Sequence, residues 1–138
     1  MKNRLLKTKL SGMALAFFVS LTVPQVIQAN ELQRLAENLC DYAKNNNRSS
    51  MRKKLKSARM RLKQIYPGLI CGSAGSLMRV AVANDSIDAA KYIATKAGKK
   101  ALSASEKDGK TALEFAENLV ASGDASKQPF VDLIQSKL

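Results

Sequence analysis

Thr111-Ala112-Leu113-Glu114-Phe115-Ala116 is the segment on which the reading of this chain turns. A threonine with a glutamate three positions later forms a capping box. The hydroxyl takes one orphan amide of a helix start, and the carboxylate reaches back for another. The segment therefore opens a helix, predicted to run to about Val120. Ala121 to Gln128 reads as a loop. A last helix near Pro129 to Leu138 follows, with proline in its first turn and with Phe130, Leu133 and Ile134 for packing. On the N-terminal side, Gly98 to Gly109 is loop-like, rich in lysine, serine and glycine. A helix from Ile87 to about Ala97 sets Ile87, Ala90, Ala94 and Ala97 on one side. Asn84-Asp85-Ser86 is a turn, and Ser76 to Ala83 is a further helix. Met51, Leu55, Ala58, Leu62 and Ile65 alternate four- and three-residue steps and predict one long helix. Ser49 or Ser50 caps it and Tyr66-Pro67-Gly68 stops it. Asn30 to Asn47 gathers Leu32, Leu35, Ala36, Leu39, Cys40 and Ala43 on one face. No hairpin strand pattern is present. The expected fold class is all-α, with helices in antiparallel pairs.

The first 29 residues have the layout of a secretory signal peptide. Lys2, Arg4, Lys7 and Lys9 precede an apolar stretch from Met13 to Val23, broken by Pro24, with Ala29 at the expected cut. That stretch falls short of the ~20 apolar residues that span a bilayer. The expected mature chain is exported, most plainly to the periplasm, and has no transmembrane segment. The leader holds four of the 23 basic residues and none of the 11 acids, so 19 bases face 11 acids in the rest, a net charge of +8. Such a balance favours anionic partners. Two cysteines in an exported chain predict one disulfide, Cys40–Cys71, the alternative being two buried free thiols. There is no CxxC, so a redox pair is not indicated.

Asp108-Gly109-Lys110-Thr111-Ala112-Leu113-Glu114-Phe115-Ala116 resembles the opening turn and first helix of an ankyrin repeat. Ser76 to Gly98 resembles the rest of such a unit. Its Ala81 matches the first-helix alanine, and Asp88 to Ile93 matches the second-helix stretch. Thr111 lies 35 positions after Ser76, close to the family period of ~33. The sequence departs from the pattern at Asp85, where a turn glycine is usual, and at Arg79 and Glu114, which stand where the motif has histidine. The resemblance covers residues 72–138. It implies a short helical repeat array that presents a surface to partner proteins, with residues 30–71 as a disulfide-linked basic hairpin packed into the same domain. Cys40 to Lys44 and Ile65 to Gly72 also look like elements of an uncharacterised family of small exported bacterial proteins.

Catalytic chemistry finds little to stand on. The chain has no histidine, which removes the commonest general base and metal ligand. No Gly-rich phosphate loop is present, and Asp85 with Asp88 are too few ligands for a metal. No enzyme activity, metal or cofactor is expected. The strongest functional signal is charge: no acid lies between Asp41 and Asp85, and Lys44 to Lys63 contains nine bases. On one helix over residues 51–65, Arg52, Lys56, Arg59 and Lys63 would share a stripe beside the apolar seam. A solvated face accounts for such a stripe; so does anion binding, with these four as the candidate residues. Two functions are therefore expected in order: a non-catalytic exported module binding an unidentified protein, or a binder of an anionic envelope component (lipopolysaccharide, anionic lipid or nucleic acid).

Overall fold

The computed structural model describes residues 25–138, with side chains from residue 29. The basic and apolar parts of the expected leader lie outside the described residues. Among the described residues are eight α-helices: α1 (Gln25–Lys44), α2 (Arg48–Ser57), α3 (Leu62–Ile65), α4 (Leu77–Ala83), α5 (Ile87–Ala97), α6 (Lys99–Leu102), α7 (Ala112–Ala121) and α8 (Gln128–Gln135). Among the same residues no strand forms beyond an isolated bridge between Ile70 and Ser76. The chain is all-helical, and Cys40 and Cys71 are joined in a disulfide with Cα atoms 5.7 Å apart.

Three helix pairs make the body: α1 with α2, α4 with α5, α7 with α8. Like members also touch, α1 with α4, α4 with α7, α2 with α5 and α5 with α8. The core is one cluster fed by every pair, including Leu39, Met51, Leu77, Ile93 and Ile134, all fully buried. Ala81 and Ala116, 35 positions apart like the caps Ser76 and Thr111, are also completely buried.

The first helix of each pair ends in the same way. The residue just past the cap is left-handed, and the next amide donates back to a carbonyl five positions earlier. Asn46 (φ +54°), Asp85 (φ +55°) and Gly123 (φ +102°) hold that position. The returning bonds run Asn47 N to Tyr42 O, Ser86 N to Ala81 O and Asp124 N to Leu119 O, at 2.8, 2.9 and 3.0 Å. This is the Schellman motif, which satisfies carbonyls left open at a helix end. Asparagine and aspartate tolerate the left-handed region better than other non-glycine residues.

Four expectations about the elements need correction. The helix predicted for residues 51–65 is two helices. α2 stops at Ser57 in a Schellman motif centred on Arg59 (φ +53°), with Met60 N donating to Leu55 O. The chain then runs through Arg61 before α3. The apolar seam spans this break because Met51 and Leu55 on α2 and Leu62 on α3 all reach the core, while Ala58 is exposed. The cap of α2 is Asn47, whose Oδ1 accepts from Ser50 N at 3.0 Å, rather than Ser49 or Ser50. The first helix starts before Asn30, at Gln25. Within the segment predicted as loop, Lys99–Leu102 is a helical turn that buries Leu102.

Candidate functional site

Helix α4 reads Leu77-Met78-Arg79-Val80-Ala81-Val82, and all six residues are buried. An arginine in such a run must find partners, because an isolated buried charge is costly. The loop after α6 supplies them. Arg79 Nη1 donates to Asp108 Oδ2 at 2.7 Å, and Nη2 donates to Asp108 Oδ1 at 2.8 Å and to the Lys110 carbonyl at 2.7 Å. Glu106 Oε1 lies 3.1 Å from Nε but out of line with its N–H, so this contact is charge to charge and Nε–H has no acceptor. The guanidinium also lies 4.9 Å from the centre of the Phe115 ring, within cation–π range. Glu106 Oε2 accepts the Ser76 amide at 3.0 Å, which ties the start of α4 to the same loop. The hydrogen bond from Arg79 holds the Asp108 carboxyl well below the usual carboxylate range and raises the Arg79 guanidinium further. Neither group exchanges a proton near neutrality, so this cluster fastens loop to helix rather than doing acid–base work. The capping box of Thr111 and Glu114 continues from it, with bonds of 2.7 and 3.2 Å.

A second polar series joins successive pairs. The left-handed Asn46 at the end of α1 reaches forward to the start of α5: its Oδ1 accepts from the amides of Asp88 and Ala89 at 2.9 and 3.0 Å. The left-handed Asp85 at the end of α4 reaches forward in turn. It takes a hydrogen bond from Lys127 Nζ at 2.6 Å, which lowers its pKa, and another from Ser126 Oγ at 3.3 Å. Lys127 is only 4% exposed. Asp85 and Asp88 thus serve these joints. Among the described residues, no three His, Cys, Asp or Glu side chains gather as a metal site would need.

The basic residues predicted as an anion-binding stripe fall on three elements. Arg52 and Lys56 are exposed on α2, Arg59 is the left-handed residue that ends it, and Lys63 stands on α3. They do not form a single helical stripe, because the left-handed turn at Arg59 breaks the helix between Lys56 and Lys63. Lys63 is carried over to α5, where its stem passes Gly98. Arg48 and Arg52 lie close enough to Tyr92 of α5 to oppose part of the upward pKa shift that burial imposes on its hydroxyl. Among the described residues every ion pair is made by Arg79 or Lys127. None of the nine bases from Lys44 to Lys63 has a carboxylate within 4 Å among the described residues, and eight of them are exposed. From the sequence, Asn45-Asn46-Asn47 reads as the end of the first helix, which Asn46 bears out, but its contact with α5 is not foreseen, and neither Lys127 nor Glu106 has an expected role. For Arg79 a signal existed: one base inside six otherwise apolar positions.

Residues 39–104 match the model of a family described as a protein of unknown function (DUF3718). The matched region takes in both cysteines, the nine bases and the α4–α5 pair. No curated protein and no solved structure matches the chain. No helix among the described residues is long and apolar enough to cross a membrane.

Proposed function

We propose that this chain is a non-catalytic binding module, exported to the periplasm by a cleaved leader, that holds an anionic partner protein on a short ankyrin-like array. The observation that carries this reading is the unpaired basic surface of residues 44–63. Among the described residues the buried cations are all matched with carboxylates, whereas the exposed ones of this region are matched with none. Like charges along a helix repel by a few tenths of a kcal/mol per pair, so local stability does not account for their arrangement. Three stacked helix pairs with a common ending at Asn46, Asp85 and Gly123 support the array, with α1–α2 read as its first unit or cap. Small stacked units of this kind bury a shared core and leave broad faces for partners. A partner with an acidic face would be steered to it.

The test is cross-linking of the oxidised chain in envelope extract, beside a variant with Arg52, Lys56, Arg59 and Lys63 all changed to glutamine. A saturable protein partner lost in the variant is the expected result. No such partner, or one retained by the variant, overturns the reading. The second reading, a binder of lipopolysaccharide, anionic lipid or nucleic acid, is favoured by the same unpaired bases. It requires binding to heparin or anionic vesicles that falls steeply with salt and weakens in the fourfold variant.

A further inference from the structure

On the side of the molecule bordered by α3, the Tyr66-Pro67-Gly68 turn and the α5–α6 corner lies a groove of about 360 Å³. Its floor is apolar. Tyr66, Leu69 and Leu102 are buried beneath it, Ala97 and Ala101 form one wall, and Ile70 stands 43% exposed at the edge. Tyr66 is only 5% exposed, and burial raises the pKa of its hydroxyl. The charged groups at the rim are Lys63, Lys100 and Glu106. Glu106 is already committed: one oxygen takes the Ser76 amide and the other faces Arg79 Nε. Neither lysine has a carboxylate within 4 Å among the described residues. The result is an apolar trough with two free ammonium groups on its rim.

We propose that this groove binds a small amphipathic anion, a single-chain aliphatic carboxylate, with the tail on Leu69, Leu102 and Ala101 and the carboxylate between Lys63 and Lys100. The volume lies at the small end of the ~300–1,000 Å³ usual for small-molecule sites. That size suits a medium-length single chain better than a two-chain lipid. Burying the tail supplies the attraction, and the two lysines select for negative charge over a neutral alcohol of the same length. The site shares Lys63 with the anionic-partner reading but differs from it in requiring Lys100 and Ala101, which that reading does not use.

The probe is decanoate, titrated into the full oxidised chain by calorimetry and by amide chemical shifts. Decanol serves as the uncharged control. The expected result is saturable one-to-one binding, with shifts centred on Ile70, Ala101 and Leu102. Ala101→Leu fills the groove and should weaken binding at least ~10-fold, since each displaced methylene contact carries much of the tail's burial. The pair Lys63→Gln with Lys100→Gln should weaken decanoate about fivefold, as expected for two exposed charge contacts, and leave decanol unchanged. Heparin binding by Ala101→Leu should equal that of the parent, so the two readings fail separately. Absence of saturation, unchanged decanoate affinity in Ala101→Leu, or decanol binding as tightly as decanoate overturns the proposal. Where Ala101→Leu loses its helical circular dichroism, the lysine pair decides: unchanged decanoate affinity there overturns it.

Discussion

Arg79 and Asn46 show how single side chains here answer needs set by their neighbours. Arg79 must be buried because its helix is apolar on every side, and its fork then orders the Glu106–Lys110 loop around itself. Replacing it by alanine should cost ~2–4 kcal/mol. That lies at or below the ~3–5 kcal/mol for breaking a fully buried pair, because Asp108 stays half exposed and rehydrates; chemical denaturation measures it. Arg79→Lys should recover only part of the loss, since an ammonium lacks the two-pronged fit. The depressed Asp108 carboxyl sets a pH dependence. Its folded pKa lies below its unfolded value, so its contribution is complete above that unfolded value, near pH ~4, and fades as pH falls through the folded one. Denaturation midpoints followed downward from pH 5 should therefore drop less in Asp108→Asn than in the parent. At Asn46 two demands coincide, a left-handed backbone and a cap for α5. Asn46→Gly keeps the first and loses the second; Asn46→Ala loses both. Stability should fall in the order parent, glycine, alanine, with alanine down ~1–2 kcal/mol. At Gly75, a Cβ would stand 2.5 Å from Glu106 Oε2 with φ at +88°, which explains the close approach of loop and turn there.

Among the elements, the break at Arg59 matters most to the proposed binding surface. A glycine there fits the left-handed conformation without a Cβ penalty, so Arg59→Gly should be neutral to ~1 kcal/mol stabilising while it weakens binding to a polyanion. Thermal melts and salt-dependent heparin binding measured on one sample separate the two effects. The break also shows what the sequence could not disclose. Met51, Leu55, Leu62 and Ile65 keep helical spacing across it, and periodicity alone cannot tell one helix from two that feed a common core. The α4, α5 and α7 boundaries were legible because local chemistry fixes them: Ser76 and Thr111 cap, Ser86 and Gly98 bracket. The bonds of Arg79 to Asp108 and of Asp85 to Lys127 were not, because each joins residues some 30 to 40 positions apart and depends on how the pairs stack. The disulfide was legible only through the expected compartment, since spacing by itself favours no pairing.

For the molecule as a whole, the Cys40–Cys71 bond and the stacked pairs set how stability is shared. The bond spans a separation of 31 residues and fastens α1 to the segment leading into α4. A loop of that size is worth roughly 3–4 kcal/mol in the chain-entropy model. Cys40→Ser with Cys71→Ser should therefore lower the melting temperature by more than ten degrees in a domain of this size, at about 4–8 °C per kcal/mol; calorimetry with and without reductant checks it. The forward-reaching contacts of the left-handed residues have a further consequence, and it concerns time. Asn46 waits for the Asp88 and Ala89 amides of α5, and Asp85 waits for Lys127. Each joint is thus completed by the later of its two partners, always from the C-terminal side. A chain delivered N-terminus first can close one joint at a time in that sequence, each finished pair offering the next a prepared edge.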